Sequence, residues 1–469
     1  MTIITQNYNS MIENLIKNQF KDILLKIKLR ENDSIYNYIN ILSNLDEALN
    51  KSFIILLKSY FEEMDKSYCN SKERKNKYDI KDYCERTILT MFGEVTYRRY
   101  FYKSKLTGKS YCFLDRKLGL KKYQYFDPYI RSLVVSKSAE TSISDACKQI
   151  NEMIGKRVNL NSKAKFLTRQ SARNIILESL IAEDIDEELE TPEEIYIIAD
   201  EKFIATQNNP SKTKNSTKEM VKSIVIFDGY TEINKRRILQ NKRVFSARRD
   251  NIITQSLDYI NNVYDTDKIK RVFIMGDGAK WIKALPQHYK FSSSTEVYYC
   301  LDKFHFKQAL HHLLMDRKLE NKCVNYIINN DRNSFNKIYN FIKENNPKRI
   351  DKIEEKYKYI LNNWKDIQRL YKYKMSCPME SQISHNIASL TSSRPKGYSF
   401  PMLDKILKLR MLKVNKKNIQ SLFMKNFDCD EILKLNITSI NCTILERKNN
   451  FIPVYQGTIY NPSIGKYYI

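Results

Sequence analysis

The chain has 469 residues, 80 Lys and Arg against 54 Asp and Glu, a formal charge of +26, 42% hydrophobic and 29% charged residues. That length predicts two to three domains, and the apolar content excludes a disordered chain. The basic excess points to nucleic acid as partner ahead of an anionic membrane, because no apolar stretch approaches the ~20 residues of a membrane span.

The nine cysteines are scattered, with no Cys-x-x-Cys pair. This predicts a reducing, cytoplasmic (nucleoid-associated) setting and argues against a zinc ribbon or disulfide framework. The N-terminus carries no signal-like segment, so neither export nor insertion is expected.

Residues 1–80 read as a helical packing or oligomerisation segment, with a capping box at Ser10 and Glu13 and apolar residues spaced by three and four from Leu45 to Met64. The polar stretch Ser71–Lys77 breaks that pattern. Residues 81–126 form a β-rich basic region, with a hairpin turn at Gly93. Arg98, Arg99, Lys103 and Lys105 alternate there with Tyr97, Tyr100, Phe101 and Tyr102, which fits either a DNA-backbone contact or a sheet with one wet face.

Residues 127–182 return to helical spacing. One helix runs from Ser142 to Ile154 and stops at Gly155; Thr168 caps a second that continues to Leu180. Arg169, Gln170, Arg173 and Asn174 occupy the first turns of the second helix, where side chains can read bases or phosphates. The pair is therefore a candidate helix-turn-helix, or an ordinary helical pair with a long connection. An acidic run from Glu183 to Glu190, closed by Pro192, marks a domain boundary.

Strands are predicted at 195–200, 220–228, 238–246, 270–276 and 296–301, with a helix at 251–264 and a long helical region from about 305 to 375. This order fits an α/β domain at 195–400, a mixed sheet with helices on both faces of the ribonuclease-H type, carrying an all-α insertion at 306–375. Residues 401–469 form a C-terminal tail that starts with a basic helix at Leu403–Lys417.

Three of the strands run into an aspartate: Asp200, Asp277 and Asp302. Carboxylates at the ends of neighbouring buried strands converge, and a carboxylate cluster on a basic protein suits Mg²⁺-assisted phosphodiester chemistry. Two ions would need a third carboxylate beside Asp200 and Asp277. Asp302, three residues before His305, and Glu380, just after Pro378, are both candidates. Arg236, Arg237 and Arg243 lie in a dense basic run of the same half, and Arg394 and Lys396 flank Pro395 further on; all are candidate phosphate contacts.

The segments Ala199-Asp200-Glu201, Gly276-Asp277-Gly278-Ala279-Lys280-Trp281, Leu301-Asp302-Lys303-Phe304-His305 and Ser393-Arg394-Pro395-Lys396-Gly397, with Arg86–Val95 before them, resemble insertion-sequence transposases of the DDE type. The group concerned is often filed as an uncharacterised family and is related to the Mutator-like transposases. The resemblance implies Asp200, Asp277 and Glu380 as the metal-binding triad for Mg²⁺ or Mn²⁺, with Asp302 and His305 beside the active site. It also implies cleavage of element ends in double-stranded DNA, transfer of the freed 3′-hydroxyl into target DNA, and a homo-oligomer on that DNA. The family commonly has another acid at the position of Lys202 and a Gly-His pair at Ser381-Gln382. A DNA-binding derivative without catalysis and a ribonuclease-H-like nuclease that cuts without joining are the alternatives.

Overall fold

The computed structural model describes residues 35–155, 166–181, 186–206, 217–233, 236–248, 251–375, 398–428, 460–461 and 465–466. The Ser10–Glu13 capping box, Glu380, Arg394 and Lys396 lie outside these residues.

Helix α1 (Ile35–Asn70) packs on the antiparallel hairpin β1 (Tyr78–Thr90) and β2 (Gly93–Ser104), to which β3 (Ser110–Tyr111) adds a short edge. Phe61 of α1 meets Tyr97 edge-on at 5.1 Å, and the Asp65 carboxylate accepts the Tyr100 N–H at 2.6 Å. The polar stretch after α1 forms a short helix, Lys72–Lys77, because the Ser71 hydroxyl caps it through the Arg74 N–H. Gly93 has φ 130°, a conformation that the tight turn at Met91-Phe92 demands and that side chains oppose.

Helices α2 (Pro128–Ser138), α3 (Ile143–Gly155) and α4 (Arg169–Glu178) pack against one another. Asp127 and Thr168 cap α2 and α4 by accepting the N–H groups of Ile130 and Ser171. Asn151 of α3 bonds both the N–H and the carbonyl of Leu167, fixing the approach to α4.

The central sheet has five strands: β4 (Glu194–Thr206), β5 (Thr217–Phe227), β8 (Arg243–Ala247), β9 (Arg271–Gly276) and β10 (Glu296–Leu301). Its spatial order is β10-β9-β4-β5-β8. The pairs β4–β5 and β5–β8 are antiparallel; β4–β9 and β9–β10 are parallel. The predicted strand at 238–246 is instead two strands. Asn241 adopts φ 45°, a left-handed turn that asparagine tolerates, so β7 (Arg236–Gln240) folds back on β6 (Gly229–Ile233) while β8 joins the main sheet.

The two faces of the sheet are buried by different helices. Ile195, Ile197, Ile224, Val272 and Ile274 share a cluster with Ile252, Tyr259 and Ile260 of α5 (Asn251–Val263) and with Ile282 of the short α6 (Lys280–Ala284). Ile198, Val225, Phe273, Met275 and Cys300 face the other way. That side is covered by the helical stretch α7 (Lys303–Leu314), α8 (Arg317–Ile328), α9 (Arg332–Asn345), α10 (Ile350–Asn362) and α11 (Trp364–Lys372), and by α12 (Phe400–Val414) and α13 (Ile419–Asp428). Each fully buried aliphatic side chain contributes roughly 1.5–3 kcal/mol, so the strand ends are held by a dense core on both faces.

The same cluster extends to Ile130, Ile150 and Ile176 of α2 to α4, so these helices share a core with the sheet. Across the acidic run expected to be a boundary, Asp186 is tied to Arg243 at 2.9 Å and to Lys417 at 2.7 Å. The segment after residue 400 likewise begins as a packed helix pair, with Leu403 and Phe423 buried. Among the described residues no helix is long and apolar enough to cross a membrane.

Candidate active site

Parallel register brings the three aspartates to one level, although Asp200 lies inside β4, which continues to Thr206 along β5 rather than ending at 200 as the apolar run suggests. Ile198 pairs with Met275 and Leu301 with Gly276, so the same register carried forward sets Asp200 and Asp302 on either side of Asp277. Alternation puts all three on the face of Ile198, Met275 and Cys300, under the helices α7 to α11. The carboxyl edge of an α/β sheet is also where such folds open to ligands.

Close packing enforces this register. A Cβ on Gly276 would lie 2.7 Å from Ile282 Cγ2 and 2.8 Å from the Ala199 carbonyl oxygen. Gly278 turns the chain away at φ 96°, beside the Asn363 amide. The Asp277 carboxylate accepts the Ala279 N–H at 2.9 Å, and the Asp277 carbonyl accepts the Tyr359 hydroxyl at 2.7 Å. The aspartate is thus fixed from its own turn and from α10.

Asp200 is the most perturbed acid of the group. Burial pushes its carboxyl up to about 6, with the neighbouring charges of Asp277 and Glu201 adding to the shift; the Glu201 N–H, at 2.7 Å, and His305 oppose it. A buried carboxyl beside a second carboxylate is an arrangement that a cation would relieve. Among the described residues, no group of three or more Asp, Glu, His or Cys is placed to hold a metal; Glu380 is not among them.

Asp302 is nearly buried, and its oxygens are already engaged. It caps α7 through the N–H groups of Phe304 and His305 and bonds His305 Nδ1 at 2.7 Å. Of the two candidates for a third carboxylate, Asp302 therefore serves to orient His305. The hydrogen bond that His305 donates to the Asp302 carboxylate holds the imidazole above its ordinary value, against the pull of burial and with help from the charges of Asp302, Asp277 and Asp200. Because the folded value lies above the unfolded one, the pair stabilises the fold fully below about pH 6.5, and this contribution fades as pH rises through the folded value. His305→Gln is expected to cost more stability at pH 6 than at pH 9; equal losses in chemical denaturation at both values would contradict the pairing.

His305, Gln308 and His312 share one face of α7 and, with Asp277, Lys356 and Tyr359, line a cleft of about 170 Å³. The spacing of three and four residues after His305 could have pointed to Gln308 and His312. No sequence signal marks Tyr359, which reaches Asp277 from 82 residues away. Glu201 was legible only as part of its motif; it accepts the Trp281 indole N–H at 2.6 Å, and Lys222 lies 5.1 Å from that ring.

The expected DNA contacts are dispersed. Arg169, Gln170 and Asn174 are exposed on α4, with Gln170 donating to Asn174 at 3.1 Å, and Arg173 is half-buried. The Arg243 guanidinium is held by Asp186 and lies 5.2 Å from the Tyr259 ring, so it is engaged inside the protein. Arg236 and Arg237 open β7, paired through the backbone with Ile233 and Glu232.

The fold and the site define a mixed α/β protein with an aspartate–histidine cluster at the carboxyl edge of its sheet. The chain belongs to an uncharacterised protein family, UPF0236, whose model matches residues 32–425. It is similar to UPF0236 proteins of Caldanaerobacter subterraneus subsp. tengcongensis. One is 26% identical over 422 residues, covering 85% of both chains; another is 26% identical over 423 residues, covering 85% of this chain and 80% of the relative. No solved structure matches.

Proposed function

We propose that this protein is a DDE-type DNA transposase that cuts the ends of its own element and joins the freed 3′-hydroxyl to target DNA. The observation that carries the reading is the parallel pairing of β4 with β9, which runs to Ile198–Met275 and, carried forward, sets Asp200 level with Asp277. Three antiparallel strands followed by two parallel ones, added on the far side of the first, agree with a ribonuclease-H-like sheet. The charge of +26 suits a DNA substrate. The name of one relative joins eleven locus designations from a single organism, as expected of a gene that is copied within its genome.

The donor set fits a hard divalent cation: carboxylate oxygens, one of them with its proton affinity raised by burial and a like-charged neighbour. Asp200, Asp277 and Glu380 would hold Mg²⁺ or Mn²⁺, two ions in the complete site, which would supply Lewis-acid stabilisation of the phosphoryl oxygens. His305, held by Asp302, would donate a hydrogen bond to a phosphate oxygen, and Lys356 would add positive charge to the cleft. Tyr359 keeps the Asp277 turn in place while the substrate enters.

Two tests follow. The Asp200 carboxyl is raised from 3.8 to about 6, so ionising it costs stability increasingly between those pH values and fully above them. In EDTA at pH 7.5, Asp200→Asn is expected to melt above wild type. Mg²⁺ is expected to raise the wild-type melting temperature and to leave the variant almost unmoved. Equal Mg²⁺ shifts would place the ion elsewhere. The direct test of activity is Mg²⁺-dependent cutting of a duplex that carries the sequences flanking the gene; salt-sensitive binding without cutting would leave only a DNA-binding derivative.

A further inference from the structure

A groove between the β1–β2 hairpin and α4 contains two features that the packing leaves unexplained. The first is a buried pair of guanidinium groups, one of which has an unpartnered nitrogen among the described residues. Arg86 and Arg99, with side chains 7% and 13% exposed, both reach the one carboxylate of Asp115. Burial pulls the Arg86 guanidinium below its ordinary value, and Arg99 adds to that effect. Asp115 and the buried Asp65, whose charge also acts on Arg99, balance the two guanidinium groups. Arg99 Nε is buried and has no hydrogen-bond partner among the described residues.

Arg99 opens into a cavity of about 600 Å³ that Arg116, Lys121, Lys122 and Arg131 also line. Besides Asp115, its one acid among the described residues is Glu178, already shared by Arg131 at 3.4 Å and Lys121 at 3.6 Å. The cavity shares no lining residue with the cleft at Asp277. A contiguous hollow continues along α4 past Ser171 and Asn174.

The second feature is Tyr123. The residue is 88% exposed and its φ is 62°, a left-handed conformation that residues other than glycine seldom adopt. The Lys122 ammonium lies 4.8 Å from the ring centroid. Arg86 holds this loop in shape by donating to the carbonyls of Lys121 and Gln124 at 2.8 and 2.7 Å. A rigid loop that presents an aromatic ring to solvent among cations is built for a ligand with both a flat face and a negative charge.

We propose that this groove is a DNA-binding site that takes a backbone phosphate against Arg99, Arg116 and Lys122 and stacks an unpaired base on Tyr123. The alternation of anion-binding and stacking groups fits a nucleotide better than an acidic polypeptide, which offers no flat face. The choice of DNA rests on the transposase reading above.

The test is equilibrium binding of the full-length protein in EDTA, by fluorescence anisotropy, to a labelled duplex whose end carries three unpaired bases. Tyr123→Asn removes the ring but keeps a residue that tolerates the left-handed conformation, so folding is preserved. It is expected to bind about 5- to 150-fold more weakly, the range of one stacked base, with an unchanged salt slope. Replacing Arg116 and Lys122 by Gln is expected to lower that slope by roughly one for each cation lost. Wild-type affinity and slope in these variants would overturn the proposal, as would equal displacement of DNA by polyglutamate from wild type and Tyr123→Asn. Weaker binding by Tyr123→Asn in a protein that never cuts DNA would support the groove and reject the transposase. Cutting that depends on Asp277, with wild-type binding by Tyr123→Asn, would do the reverse.

Discussion

Asp277→Asn is expected to lower DNA end cleavage by about 10³-fold or more while leaving DNA affinity equal or slightly improved. Asn has nearly the same shape as Asp and keeps an oxygen that can accept the Ala279 N–H, so the turn through Gly278 is preserved. What it lacks is the negative charge. Losing one charged ligand from a cation site that supplies several kcal/mol of transition-state stabilisation gives the rate loss; removing a carboxylate that repels phosphate gives the unchanged or tighter binding. The two readouts separate chemistry from folding. A variant that cuts at the wild-type rate would remove Asp277 from the site, and one that neither binds nor melts cooperatively would point to a structural role instead.

The second large effect is expected at a residue with no side chain. In Gly276→Ala the new methyl would lie 2.7 Å from Ile282 Cγ2, 3.0 Å from Ile282 Cδ1 and 2.8 Å from the Ala199 carbonyl oxygen. Ile282 is wholly buried, and a strand carbonyl cannot move without its neighbours, so relief has to come from parting β4 and β9. Overpacking of this kind costs about 1–3 kcal/mol or more. Asp200 and Asp277 sit one step beyond that clash on the same two strands, so Mg²⁺ stabilisation should fall together with thermal stability. An alanine variant with wild-type melting behaviour would show that the two strands are not held this closely.

The ends of β9 and β10 are legible in the sequence because their signal is local, whereas β4 runs on past Asp200 to Thr206, beyond the point where Glu201 and Lys202 break the apolar run. The apolar run Glu296–Leu301 matches its strand to within the turn that follows, and Asp200, Asp277 and Asp302 are read directly after such runs. The cap at Thr168 is equally local and legible; Ser71–Lys77, which reads as a break, holds a short helix capped by Ser71, and Asp302, which reads as a metal candidate, is committed to α7 and His305. Long-range pairing left little trace. Nothing near Asn241 shows that the segment splits into strands of different sheets, since one left-handed residue decides it. Arg243 reads as a free cation until the acidic run around Asp186 folds back onto it. Tyr359 and Lys356 reach the cleft only through the packing of α10 on α7, which depends on the whole insertion. The order β10-β9-β4-β5-β8 agrees with the mixed sheet expected from strand sequence alone, because buried strands around one crossover helix have few ways to arrange.

The most direct measurement is strand transfer: purified full-length protein, Mg²⁺, a duplex carrying the gene's own flanking ends and a supercoiled target plasmid, with the products sequenced. A 3′ end of the element joined to target DNA in wild type, and missing with Asp277→Asn, is the predicted result. Intact or merely nicked ends, with no joined product under conditions where the protein binds the duplex, would contradict the transposase.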